Sequence, residues 1–209
     1  MSDRAVTIVH YGVGNIGSIV NMLKKLGADP TIAETPEQIT SARRLLLPGV
    51  GSFDAGMSHL HERGLVDALN KKALDERIPT LGICLGMQLL MEGSQEGTLA
   101  GLGWIEGEAR KLPVDAEGTQ LPLPHMGWNT VDIIRADRLY AGMEGELRFY
   151  FLHSYGVSCR RHEDVLSETT YGAAFVSALQ RENIFGTQFH PEKSHRFGMQ
   201  LLANFVRAT

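Results

Sequence analysis

The chain has 209 residues, 43% of them hydrophobic, and a formal net charge of −4, which is enough apolar material for one well-buried core. With no long Lys/Arg run or basic-aromatic stripe, that balance argues against nucleic acid as a partner. No apolar stretch reaches the roughly 18 residues of a membrane span, no leader pattern opens the chain, and two cysteines without a CxxC pair suggest neither a disulfide framework nor a zinc site, so the simplest reading is one soluble cytoplasmic domain over residues 1–209.

In the first half, short apolar runs alternate with amphipathic segments, the pattern of parallel strands crossed by helices. Residues 4–11 read as the first strand. Asn15 opens a segment in which Ile16, Ile19, Val20, Leu23 and Leu26 recur at helical spacing, and Gly27 is placed to end it. A short strand is expected at 30–33. Thr35, Pro36 and Glu37 then read as an N-cap, a first-turn proline and a carboxylate favoured by the helix dipole. Residues 43–47 are the next strand, 53–77 are helical with a break near Gly64, and 78–83 return to a buried strand.

From Leu99 onward the strands become shorter and punctuated by glycine and proline, with candidates at 107–112, 128–134 and 148–154. Residues 173–179 and 184–189 read as a hairpin across 180–183. A closing helix is expected over 195–207, with Phe197, Leu201, Leu202 and Phe205 facing inward. The resulting fold class is α/β: an open, mostly parallel central sheet flanked by helices, with an additional antiparallel strand region in the second half.

Cys84 ends the buried strand in the stretch LGICLGMQLL, and Gly82 and Gly86 flank it. GxCxG between a strand and a helix is the cysteine counterpart of the serine nucleophile elbow. The glycines relieve crowding at a sharp turn, the following helix presents its positive end to the sulfur, and Leu85 offers a backbone N–H to an oxyanion. Taken alone, the motif fits a buried structural cysteine equally well. A thiol nucleophile also needs a base and a group that orients it. His190 follows an apolar strand in GTQFHPEKS, with Glu192 two residues on. In LPGVGSF, glycines on both sides of Val50 permit a tight loop whose amides can approach a ligand, although an ordinary turn has the same composition. Cys159 has no such elbow and reads as structural.

With these segments in place, the sequence resembles the class I (triad-type) glutamine amidotransferases, and within them the glutaminase branch serving imidazole glycerol phosphate synthases. The motifs that carry the likeness are YGVGNIGS, LPGVGSF, GICLGMQLL, PHMGWN, FYFLHSY and GTQFHPEKS, spread over most of the chain. The resemblance implies Cys84 as nucleophile, His190 as acid/base and Glu192 as its orienting group. It implies oxyanion amides from Val50 and Leu85, and glutamine contacts from Gly51, Gln88, Ser154 and Tyr155. It also implies a heterodimer with a (β/α)₈-barrel cyclase subunit, contacted through Asn15, His125, Trp128 and Lys193, and no metal or organic cofactor. The reaction so implied hydrolyses glutamine through a cysteine thioester. Its ammonia passes to the cyclase, which makes imidazole glycerol phosphate and aminoimidazole carboxamide ribotide in histidine biosynthesis. One departure stands out: His10 occupies a position where the family often carries Asp. A glutaminase for another synthase, a cysteine-elbow peptidase and a silent binding subunit are the alternative readings. HSY and PHMGWN argue against the first, the HPE segment with the glycine loop against the second, and the filled triad against the third.

Overall fold

The computed structural model describes residues 4–14, 16–113, 115–116 and 119–207. The apolar runs of the first half become β1 (Ala5–Val9), β2 (Asp29–Ala33), β3 (Leu45–Gly49) and β4 (Thr80–Cys84). Every residue of β3 and β4 is buried, as expected of parallel strands covered on both faces. They lie in the order β2, β1, β3, β4, followed by the Ile184–Thr187 strand, all parallel. The sheet then continues antiparallel through Ala173–Arg181, Tyr155–Cys159 and β6 (Ile105–Lys111), with β5 (Met91–Ser94) parallel at its edge. β4 is therefore central, and its carboxyl end delivers Cys84 to the position where ligands of open α/β sheets gather.

Each face has its own core. One packs α1 (Ile16–Lys25) and α6 (His195–Val206) on the sheet through Ile19, Leu23, Leu201, Leu202 and Phe205. The other packs α3 (Phe53–Glu62), α4 (Leu65–Asn70) and the short α5 (Leu85–Leu89) through Phe53, Leu60, Leu69 and Leu89. Gly64, at φ +64°, makes the break between α3 and α4. The short helix Pro36–Thr40 starts as expected after Thr35, whose N–H donates to Gln38 Oε1 at 3.1 Å in a capping box. Among the described residues no helix is long and apolar enough to cross a membrane.

The second half departs from the expected boundaries in ways that shape the site. The segment read as one strand over 128–134 is split between two sheets. His125–Thr130 pairs only with Arg148–His153 in a separate two-stranded ribbon, whereas Asp132–Ile133 pairs with Ser167 and Glu168 in the main sheet. The chain changes sheets again at Ser154, leaving the ribbon after His153 and entering the main sheet at Tyr155. A strand at Val165–Tyr171, absent from the sequence reading, pairs with Ala173–Arg181. The hairpin is tighter than expected: Arg181 pairs with Ile184 across a two-residue turn, with Glu182 at φ +53°. Two-residue turns of this kind match the twist of paired strands.

Candidate active site

The local backbone explains why the elbow needs its glycines. Cys84 sits at φ +55°, ψ −112°, a conformation that a residue with a side chain rarely occupies and that clusters at functional sites. A Cβ on Gly82 would lie 2.6 Å from the Gly86 carbonyl oxygen, and one on Gly86 would lie 1.8 Å from that of Leu47. The glycine loop is equally close: a Cβ on Gly49 would approach Leu85 Cβ to 2.9 Å and the Gly86 nitrogen to 3.1 Å. Strand, turn and loop therefore meet backbone to backbone. The Cys84 side chain is 6% exposed, with Sγ 3.7 Å from both the Leu152 carbonyl oxygen and the Gln188 amide nitrogen.

His190 lies three residues beyond the strand beside β4 and precedes the short turn Pro191–Lys193. Its N–H donates to the Tyr150 carbonyl at 2.9 Å, and the Ser194 hydroxyl donates to its own carbonyl at 2.6 Å, which fixes the backbone. The side chain is buried and pairs through Nδ1 with Glu192 Oε1 at 2.8 Å. That contact leaves Nε2 as the working nitrogen, and Nε2 has no hydrogen-bond partner of ordinary geometry. Burial alone would lower the His190 pKa, but the Cys84 side chain and the Glu192 carboxylate outweigh it, and the net effect is a rise from 6.5 to about 9.

A pH prediction follows from the sign of that shift. Stabilisation from His190 is fully present below its unfolded value of 6.5 and is lost as pH rises through about 9. Cys84→Ala removes part of the upward pull, so the His190 pKa is expected to fall. An NMR titration of the imidazole carbon-bound protons measures this; an unchanged midpoint would mean that sulfur and ring do not interact.

A cavity of about 230 Å³ opens at the sulfur and is lined by Val50, Gly51, Leu85, Gln88, Ser154 and Tyr155 together with Cys84, His153 and Glu96. Six residues expected to bind substrate or its oxyanion thus share one cavity with the thiol. Both hydrogens of the Gln88 amide are engaged, by the Tyr155 carbonyl at 2.8 Å and Gln188 Oε1 at 3.1 Å, so its carbonyl oxygen is the atom left for a ligand.

Two site residues escaped the sequence reading. Gln188 is fully buried; the available signal was a long amide inside the apolar run FGTQF. Glu96 receives the Phe53 N–H at 2.8 Å and brings a carboxylate to the cavity wall from a glycine-flanked loop with no motif of its own.

The expected partner contacts fare differently. Asn15 lies outside the described residues. Trp128 and Lys193 are exposed, with Lys193 Nζ 5.6 Å from the Tyr150 ring centroid. His125 is corrected: only 3% exposed, it stacks on Phe151 and Tyr171 and cannot itself present a contact surface. Strand alternation turns Met126, 66% exposed, and Trp128 outward instead. His10, at the departure from the family pattern, pairs with Glu34 Oε1 at 2.7 Å. Cys159 is partly buried, and burial with nearby Asp164 pushes its thiol up to about 12, consistent with the structural reading.

A strained strand-to-helix cysteine and a glycine loop at one small cavity, with a buried His–Glu pair beside the thiol, define a thiol enzyme of the acyl-transfer class. Residues 7–209 match the family described as glutamine amidotransferase class-I. The chain is 48% identical to imidazole glycerol phosphate synthase subunit HisH 2 of Methanococcus maripaludis, covering 97% of this chain and 98% of that protein. It is 46% identical to subunit HisH of Leptospira interrogans, covering 96% and 98% respectively. The chain belongs to the class-I glutamine amidotransferases, in the branch of the HisH subunits. Among solved structures, a glutamine amidotransferase superposes with a TM-score of 0.74 at 17% identity, over 96% of this chain and 97% of that one. PurLQS from Thermotoga maritima superposes with a TM-score of 0.69 at 17% identity, over 97% of each chain. At such identities these two establish the fold alone.

Proposed function

We propose that this chain, as a single domain, hydrolyses glutamine to glutamate and ammonia and delivers the ammonia to a (β/α)₈-barrel cyclase partner in the cytoplasm. His190 Nε2 takes the Cys84 thiol proton, Sγ attacks the side-chain amide carbon of glutamine, and the amides of Val50 and Leu85 donate to the developing oxyanion. His190 Nε2 protonates the departing nitrogen, ammonia leaves, and a glutamyl thioester remains on Cys84. Water then adds to the thioester as His190 takes its proton, and glutamate is released. Glu192 holds the imidazole throughout. Glu96 supplies a negative charge where the ammonium group of an amino acid would lie. The partner cyclase uses the ammonia to make imidazole glycerol phosphate and aminoimidazole carboxamide ribotide in histidine biosynthesis.

The observation that carries this reading is the strained Cys84 elbow at a cavity small enough for one amino acid, with the buried His190–Glu192 pair beside the thiol. The partner face is supported by the ribbon. Exposed Met126 and Trp128 on one strand, beside exposed Lys193, are what a surface made to be covered by protein presents. Free ammonia is lost to solvent unless hydrolysis is tied to the acceptor, so low activity is expected from the chain alone and a marked rise with the cyclase and its nucleotide ligand. Glutamate release measured in each combination decides the matter. A fast glutaminase indifferent to partner and ligand would refute the coupling.

A further inference from the structure

A chain of hydrogen bonds not used in that chemistry runs from the ribbon to the sulfur. Asn129 Nδ2 lies 3.3 Å from His125 Nε2, and His125 Nδ1 lies 3.1 Å from His153 Nε2. His153 Nδ1 stands 2.8 Å from the Tyr155 carbonyl, the same oxygen that receives the Gln88 amide. Gln88 donates onward to Gln188, whose own amide faces Cys84 Sγ. The two histidines are directly opposed residues of the ribbon.

The partners dictate where the protons are. A carbonyl only accepts, so His153 carries its hydrogen on Nδ1. In a neutral ring its Nε2 then accepts, which makes His125 the donor from Nδ1 and leaves His125 Nε2 to accept from Asn129. The orientation of Asn129 is fixed independently: its amide nitrogen donates to the Thr170 carbonyl at 3.0 Å, and its oxygen receives the Thr130 N–H at 2.8 Å. One arrangement satisfies every atom, with both rings neutral and protonated on Nδ1. Burial opposes a charge on either ring and lowers His125 to about 4 and His153 to about 3. A proton added to either ring would set donor against donor.

We propose that His153, locked in this tautomer by His125, is a positioning residue that fixes the Tyr155 carbonyl and, through it, the Gln88 amide that holds Gln188 aimed at Cys84. Tyr155 enters the main sheet one residue after the chain leaves the ribbon at Ser154, so the carbonyl needs a brace from outside its own ladder. The Gln188 N–H holds the sulfur in place and solvates the charge it carries as a nucleophile. The inference rests on the thiol chemistry proposed above.

Three measurements on the full chain test it. Nitrogen-resolved NMR of the imidazoles should find His125 and His153 as neutral Nδ1–H tautomers from about pH 5.5 to 8; an Nε2–H tautomer or a titration of His153 in that range overturns the proposal. Alkylation of Cys84 by iodoacetamide should slow in His153→Leu and recover in His153→Asn, whose amide can still donate to Tyr155. In the complex with cyclase and ligand, kcat/KM for glutamine should fall about tenfold or more in His153→Leu and return to within about threefold in His153→Asn, with similar Tm values. Equal losses in both variants, or none in His153→Leu, would reduce His153 to packing. The first two readouts need no turnover. If they came out as expected while the wild type released no glutamate, the glutaminase reading would fall and the brace would stand.

Discussion

Replacing Cys84 by alanine is expected to lower glutamate release by about 10⁴-fold or more, assayed with the cyclase and its ligand present. The size follows from what remains. The oxyanion amides and His190 would still be there, but no thioester can form, and water would have to attack an unactivated amide directly. The fold should survive, since only one sulfur is removed from a side chain at the edge of a cavity, and circular dichroism with a melting curve would check that. Residual activity of even a few per cent would rule out the covalent route. Cys84→Ser puts a hydroxyl of similar shape in place of the thiol but lacks a readily ionised nucleophile. It should fall nearly as far, which separates loss of reactivity from loss of packing.

The second large effect is on folding. A Cβ at Gly86 would sit 1.8 Å from the Leu47 carbonyl oxygen and 2.8 Å from its carbon. Those atoms belong to β3, which pairs with β1 on one side and β4 on the other, so the clash cannot be relieved by a side-chain rotation. Gly86→Ala should therefore destabilise the chain by about 3–5 kcal/mol, or roughly 10 °C in Tm for a chain of this size. Gly93 is the control: it lies in β5 with nothing within 4 Å of a built Cβ and has no left-handed φ. Gly93→Ala should stay within about 0.5 kcal/mol of wild type. Similar melting temperatures for the two variants would show that the elbow and β3 can separate, and the rigid-elbow account would fail.

The elements that were legible from sequence are those whose signal is local. α1 and α6 announce themselves by apolar residues at helical spacing, and both lie within one or two residues of the expected limits. The elbow was equally plain, because a strand, a turn and a helix in succession leave their marks within ten residues. His190 and Glu192 were singled out by their local setting after an apolar strand, and the resemblance gave them their roles, but nothing in the spacing of residues 84 and 190 says that two parallel strands will lie side by side. The ribbon was legible only in part: His125 and Trp128 were both expected at the partner face, and the fold turns Trp128 outward with Met126 while it buries His125.

The physical reason for the burial of His125 also separates the two kinds of knowledge. A strand's period says which residues share a face but not which face is covered, and this face is covered by the polar wall of the cavity and the rings of Phe151, Tyr171 and Phe175. Period, turn chemistry and the glycine spacing are properties of neighbouring residues, so the chain by itself determined the α/β alternation and the cysteine elbow. Where Ser154 changes sheets, which side of the ribbon faces solvent, and which amides converge on the sulfur depend on contacts between residues 26 to 100 positions apart. Those contacts exist only once the chain has closed on itself, and tertiary packing decided them.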